Sequence, residues 1–371
     1  MSEQYVNTKS SKFYYCRSSY SSFPSFKYCC VNIVAAKEEN NYRNVKKPTS
    51  SVLSGTYYLE QKVELKTNTP GAKTYYTLDG STPTTKSTQY TNPIIINNDT
   101  VLKAISIRGN AKNKNQKNHS DLAIFTYSFE SRESIATQFL SFTYKTMPYR
   151  LYVPKDYDST KSYPLVLFLH GGGERGNDNN KQLLGNDGAI VWASPENQRK
   201  HPAFVLAPQA RNVPSGGFTV TRDDNNKVDL AKVFETSEDL KTAYEILQSV
   251  RKAYNIDSNR LYSTGLSQGG FGTFNLNIEH PNLFAAMVPI AGGANPAKAH
   301  LLTHKPIWAF HAEDDSVIPV TYSRNIIEAI KKAGGHPLYT EYPKELKYDH
   351  ASWIPTYQNQ KMIDWMFQQV K

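Results

Sequence analysis

Arg260-Leu-Tyr-Ser-Thr-Gly-Leu-Ser-Gln-Gly-Gly-Phe-Gly272 carries a short apolar strand into a Gly-x-Ser-x-Gly turn and out into a helix-forming segment. Five-residue patterns with three fixed positions recur by chance, so the turn by itself also reads as a Gly/Ser-rich loop, and its context decides. A serine on so sharp a strand-to-helix turn is held in strained backbone, and only residues without side chains fit where strand and helix close together. Gly265 and Gly269 supply that room. The turn lifts the Ser267 hydroxyl above the carboxyl end of a sheet and aims the N–H of Gln268 at the same point, where the next helix favours negative charge.

Strand and helix signals alternate on both sides of this turn. Residues 139–144 and 149–153 read as an antiparallel opening pair, and 165–169 and 203–207 as buried strands with a helical segment between them. Ser237 is a candidate N-cap, with Glu238 and Asp239 in the first turn of an amphipathic helix running to about residue 254. Strands follow at 285–290, 307–310 and 338–342, with helices at 321–333 and 358–370. Such alternation calls for an α/β fold with a mostly parallel sheet covered on both faces, whose reacting residues gather at the carboxyl ends of the strands.

Three further stretches fall at such ends. His170-Gly-Gly-Gly-Glu-Arg-Gly176 follows the strand at 165–169 and resembles the oxyanion-hole loop of α/β-hydrolase esterases. The resemblance assigns the oxyanion donors to Gln268 jointly with Gly172 or Gly173, and it makes His170 a structural loop residue rather than a base. Glu174 and Arg175 pair either with each other or with substrate. His311-Ala-Glu-Asp-Asp-Ser-Val-Ile-Pro319 resembles the H-G-x-x-D-x-x-V-P acid loop, with Ala312 and Ile318 in place of Gly and Val. Aligned on that pattern Asp315 is the orienting acid and Asp314 the alternative; a bland reading leaves Glu313, Asp314 and Asp315 as a solvated turn. Lys347-Tyr-Asp-His-Ala-Ser-Trp353 is similar to the G-H-x-x-W histidine loop, with Asp349 where Gly is usual, and makes His350 the base rather than a lone surface histidine.

The order Ser267, Asp315, His350 is that of the α/β-hydrolases. Residues 137–371 resemble the secreted esterase group of feruloyl esterases, acetylxylan esterases and polyhydroxybutyrate-depolymerase-like proteins, with Phe204-Val-Leu-Ala-Pro-Gln209 and Tyr254-Asn-Ile-Asp-Ser-Asn-Arg-Leu-Tyr262 adding to the match. One departure bears on acyl preference: where relatives often bring a Trp towards the pocket, this chain reads Ala210-Arg-Asn-Val-Pro-Ser-Gly-Gly-Phe218. The resemblance implies a serine esterase acting on acylated carbohydrate or small esters, needing no metal or organic cofactor and working outside the cytoplasm.

Upstream, residues 48–129 consist of short β-branched and aromatic runs separated by turn chemistry, with strands at 63–67, 73–78, 94–96, 100–107 and 122–129. Through Ser54-Gly-Thr-Tyr-Tyr58, Pro70-Gly-Ala72, Tyr75-Tyr-Thr-Leu-Asp-Gly-Ser-Thr-Pro-Thr84, Tyr90-Thr-Asn-Pro-Ile94 and Leu102-Lys-Ala-Ile105 this stretch resembles the chitobiase carboxy-terminal-like, fibronectin-III-associated β-sandwich module. That module accompanies carbohydrate-active enzymes and carries no chemistry of its own; its Tyr residues read as strand residues of a spacer or as glycan-stacking faces. Residues 130–136 form a short polar linker. Residues 1–47 hold all three cysteines, Cys16, Cys29 and Cys30, and are expected as a disordered tail or a degenerate leader, whose best h-region, 29–36, is short and broken by Asn32.

Composition removes other classes. The formal charge of +10 is uneven: residues 1–130 carry 17 Lys/Arg against 9 Asp/Glu, and residues 131–371 carry 26 against 24. The excess lies away from Ser267 among Asn, Thr and Ser, as on a solvated surface rather than a nucleic-acid-tracking stripe. No stretch reaches the roughly 20 apolar residues of a membrane span. A serine peptidase of the prolyl-oligopeptidase-like type shares the triad, but nothing here suggests its propeller. A non-catalytic carbohydrate-binding protein is expected to have lost one of the three residues.

Overall fold

The computed structural model describes residues 44–109, 118–221, 223, 225, 227 and 229–371. The expected tail therefore lies, up to residue 43, outside the described residues. By its contacts the chain divides into two compact units: one gathers residues up to Leu53, Val63–Ile94 and Val101–Phe125, the other Ser54–Lys62, Ile95–Thr100 and Thr126–Lys371.

The first unit is built of strands. Ala72–Thr77 pairs antiparallel with the run ending at Arg108, in the register Lys73↔Ile107 and Tyr75↔Ile105, and with Thr88–Gln89 on its other edge. Leu102, Ala104 and Ser106 are buried at period two, so one face of this run packs inward. Ser106 meets Thr74 across the pair at 3.2 Å, and Asp79 Oδ1 closes the Asp79-Gly80-Ser81 turn by accepting the Ser81 N–H at 2.9 Å.

The second unit is an eight-stranded sheet with helices on both faces. Its strands are Leu140–Tyr144 (β1), Met147–Tyr152 (β2), Tyr163–Leu169 (β3), Phe204–Pro208 (β4), Ile256–Leu266 (β5), Ala286–Ile290 (β6), Trp308–Ala312 (β7) and Leu338–Tyr342 (β8). They lie in the order β1-β2-β4-β3-β5-β6-β7-β8; β2 is antiparallel to its neighbours and every other pairing is parallel. This is the α/β-hydrolase architecture. The sheet faces have separate cores: Val166 and Phe168 of β3 join Trp192, Met362, Ile363 and Met366 on one side, while Leu165, Leu167 and Leu169 join Leu240, Ile246, Leu247 and Val250 on the other. Each such side chain contributes roughly 1.5–3 kcal/mol on burial, which pins the register of β3 and so the position of the loop that leaves it.

The helix Glu238–Ala253 (α1) starts where Ser237 Oγ accepts the Leu240 N–H at 3.0 Å, with acidic residues in its first turn and Arg251 and Lys252 in its last. Gln268–Glu279 (α2) follows β5 directly, Thr321–Lys332 (α3) lies between β7 and β8, and Gln360–Gln368 (α4) closes the chain. Among the described residues no helix is long and apolar enough to cross a membrane.

Candidate active site

Ser267 stands between β5 and α2 with φ 54° and ψ −119°, a region costly for a residue with a side chain. The surroundings hold it there. Its N–H donates to the Ile290 carbonyl at 2.9 Å, which ties the turn to the end of β6. A Cβ on Gly269 would collide with the Leu169 carbonyl oxygen and one on Gly265 with the Gly269 carbonyl, so the close approach of α2 to β3 and β5 depends on both glycines.

The Ser267 hydroxyl lies 2.9 Å from His350 Nε2. His350 Nδ1 donates to Asp315 at 2.8 Å and 2.9 Å. With the proton on Nδ1, Nε2 presents its lone pair to the serine O–H. Asp315, on the loop after β7, is buried and faces His350; Asp314 instead accepts the Asp349 N–H at 3.1 Å. Asp315 Oδ1 also accepts the N–H groups of Val317 and Ile318 at 3.0 Å and 2.8 Å. Burial acts to raise the Asp315 pKa, but hydrogen bonds from His311 and His350, the His350 charge and the Ile318 N–H outweigh it and hold the carboxyl well below the usual range.

His311 was not singled out as a site residue, yet it lies fully buried beneath Asp315, with Nε2 3.2 Å from Asp315 Oδ2 and 2.9 Å from the Ile318 carbonyl. Its Nδ1 meets Ser323 Oγ at 2.8 Å, and Ser323 donates to the Gly292 carbonyl at 2.6 Å. A histidine opening the acid loop is the sequence signal for this support. His350 is flanked by Trp353, edge-on with ring centres 5.2 Å apart.

Gly172 and Gly173 follow β3, which pairs with β5 in the register Leu169↔Gly265 and so brings their loop beside the serine turn. They line one pocket of about 150 Å3 with Ser267, Gln268 and His350; Thr221, Val317 and Ile318 complete it. The first N–H groups of a helix have no partner within it, so Gln268 N–H at the head of α2 is available to an oxyanion there. The Gln268 side chain turns away: its Nε2 donates to the Thr219 carbonyl at 2.8 Å and to Thr221 Oγ1 at 2.9 Å.

His170 is fully buried and structural. Its Nε2 accepts the Ala210 N–H at 2.9 Å, leaving Nδ1 to donate to the Gly171 carbonyl at 2.6 Å. Burial pushes it down to about 4. Arg175 donates to the carbonyls of Gly172, at 3.1 Å, and Val213, at 2.9 Å, clamping the glycine loop to the 210–218 segment. Glu174 carries a buried Oε2 with no hydrogen-bond partner among the described residues, and burial pushes its carboxyl up. Phe218, which ends the segment that departs from the relatives' pattern, packs fully buried against His170 at 4.8 Å between ring centres. The buried Asp239 of α1 ties down the same segment by accepting from Arg211 Nε at 2.6 Å and Gly217 N–H at 2.8 Å. Thr221 carries no sequence motif, whereas Val317 and Ile318 lie in the acid loop and Asp239 in the first turn of α1. Among the described residues no three His, Cys, Asp or Glu side chains come together as a metal-ligand group.

Residues 140–326 match the family model described as "Putative esterase", and residues 52–117 match the chitobiase/beta-hexosaminidase C-terminal domain. The solved structure of a thermostable esterase is 38% identical to this chain, with a TM-score of 0.60 over 78% of this chain and 79% of that one. Feruloyl esterase D of Neurospora crassa is 25% identical over 191 residues, 52% of this chain and 61% of that protein. Dipeptidyl-peptidase 5 of Porphyromonas gingivalis is 25% identical over 181 residues, 46% of this chain and 24% of that protein. The chain spans less than two thirds of the length of these two curated relatives. With half of its length matched by the esterase model and an esterase structure at this identity over most of both chains, the chain belongs to the esterase family.

Proposed function

We propose that the protein hydrolyses carboxylic esters of acylated plant polysaccharides or their fragments through an acyl-enzyme on Ser267. The observation that carries this is the hydrogen-bonded line from Asp315 through His350 to Ser267 at the mouth of a glycine-walled pocket. His350 Nε2 takes the serine proton as Oγ bonds to the ester carbon, and Asp315 stabilises the imidazolium that results. The oxyanion accepts from Gln268 N–H and from the Gly172 or Gly173 N–H. Collapse breaks the bond to the alcohol oxygen, which leaves with the proton from His350. Water then repeats the sequence and frees the acid.

The carbohydrate assignment draws on the relatives' feruloyl-ester activity and on the chitobiase-type region beside the esterase. We assign residues 48–129 the part of an accessory module without chemistry of its own. Parallel assays with p-nitrophenyl acetate, methyl ferulate, acetylated xylan and a chromogenic dipeptide anilide test the reading. Turnover of the esters, abolished in Ser267→Ala, is the expected result. Cleavage of the anilide alone overturns it in favour of a peptidase, and more than about 1% residual activity in Ser267→Ala removes that serine from the mechanism.

A further inference from the structure

A second cavity, of about 460 Å3, opens between Tyr58, Leu59 and Glu60 on one side and Asp187 and Gln358 on the other. All five residues belong to the larger compact unit, and the ester chemistry uses none of them. Its walls are firmly built. Tyr58 donates its phenol O–H to Asp187 Oδ1 at 2.5 Å, and Arg132 Nη2 holds the same oxygen at 2.5 Å. Behind them the buried Glu196 carboxylate accepts the N–H of Tyr58 at 3.0 Å and that of Leu59 at 2.8 Å. Arg199 donates to the Thr56 carbonyl at 2.6 Å. Tyr58 and Leu59 are thus fixed in place while part of each stays exposed. The side chains of Glu60 and Gln358 are exposed and make no hydrogen bond or ion pair among the described residues.

Both walls lead back to Ser267. On one, His350 faces Trp353, which opens the helix Trp353–Tyr357, and Gln358 follows about 8 Å along its axis. On the other, Gly173 of the serine pocket precedes Glu174, whose Cγ would lie 2.7 Å from a Cβ on Gly185, two residues before Asp187. Through Trp353 and Glu174 the walls of the cavity are thus tied to residues that surround the reacting hydroxyl.

Its lining selects the ligand. Two carboxylates, a primary amide and a phenol can exchange hydrogen bonds with several hydroxyl groups at once, while the Tyr58 ring and Leu59 offer an apolar face to ring C–H groups. An acyl chain would desolvate the carboxylates without return, and an anionic sugar would meet like charge. We infer that this cavity is a subsite for the neutral saccharide part of the ester substrate, with Glu60 and Gln358 as its free hydrogen-bonding groups. The inference rests on the polysaccharide-ester reading given above.

The test uses the full chain carrying Ser267→Ala, so that saccharide binding is read without turnover. Titration calorimetry with xylotriose and cellotriose should give a Kd on the order of 1 mM for at least one of them, and adding Glu60→Ala and Gln358→Ala together should weaken it by about tenfold or more. Equal binding before and after the double substitution overturns the subsite, as does the absence of binding heat for both sugars at about 10 mM. Turnover of acetylated xylan by the unsubstituted chain is followed in parallel. Turnover without sugar binding removes the subsite and leaves the esterase reading standing. Sugar binding that the double substitution abolishes, without turnover of any ester, removes the esterase reading and supports the saccharide site.

Discussion

Asp315→Asn is the substitution whose outcome the geometry fixes most tightly. The carboxylate accepts His350 Nδ1–H at 2.8 Å and 2.9 Å and the N–H groups of Val317 and Ile318 at 3.0 Å and 2.8 Å. An asparagine of the same shape turns its carbonyl to the two backbone donors, which leaves its NH2 group facing His350. Nδ1 must then accept, the proton moves to Nε2, and the imidazole meets Ser267 Oγ as a donor that cannot take its proton. A wrong-tautomer imidazole of this kind costs roughly ten-thousand-fold in kcat, about 5.5 kcal/mol of barrier. Asp314 accepts one N–H, which its asparagine keeps, so Asp314→Asn should cost about 1 kcal/mol at most, less than about tenfold. Steady-state turnover of p-nitrophenyl acetate measures both. Stability supplies an independent readout: the native Asp315 pKa lies below that of the unfolded chain, so its contribution is present above the unfolded carboxylate value, near 3.9, and fades as pH falls through the lower native one. Asp315→Asn should lack that part of the acid dependence. If Asp315→Asn keeps more than about a tenth of the activity while Asp314→Asn loses more, the acid sits one position upstream and the tautomer argument fails.

Burial puts His170 at about 4, below the unfolded imidazole near 6.5, so the unfolded chain binds the extra proton and stability should fall by up to roughly 3 kcal/mol as pH drops through that window; urea unfolding of His170→Gln should show a flatter slope there, and an identical slope refutes it. Burial, with Lys371 adding to it, lowers Lys305 to about 8, so the charged amine destabilises the fold at neutral pH and stability should rise as pH climbs from about 8 towards 10.5. Lys305→Met should therefore stabilise by about 1 kcal/mol after loss of its hydrogen bond to the Phe284 carbonyl, and a lower denaturation midpoint would count against this account. Glu196→Ala should lower unfolding free energy by about 3 kcal/mol, because the N–H groups of Tyr58 and Leu59 lose a charged acceptor; a change under about 0.5 kcal/mol would mean that the 54–62 segment is held by its other contacts.

Ser267, Asp315 and the glycine loop are legible in the residues because each follows a buried apolar run, and His350 because its motif follows the last strand; sheet topology brings the carboxyl ends of these strands together. The replacement of Gly by Asp349 is informative in the same local way. Asp349 has φ 45°, a left-handed conformation that explains why glycine is usual there, and a strain of about 1–2 kcal/mol is offset by the bond from Ser316 N–H to Asp349 Oδ1 at 2.8 Å. Interactions joining distant positions leave no such mark. Glu196 receives Leu59 N–H across 137 positions and Asp239 holds Gly217 across 22; in the sequence both read as ordinary acidic residues near a helix start. The texture of short strands and turns suggests a module over 48–129, yet by its contacts the run Ser54–Lys62 falls in the larger compact unit. Strand propensity records how a backbone folds locally and is silent on which surface a side chain will meet, so Tyr58 could be read only as a strand tyrosine. Its phenol on Asp187 and its amide on Glu196, contacts that span 129 and 138 positions of sequence, instead make it part of the wall of the second cavity.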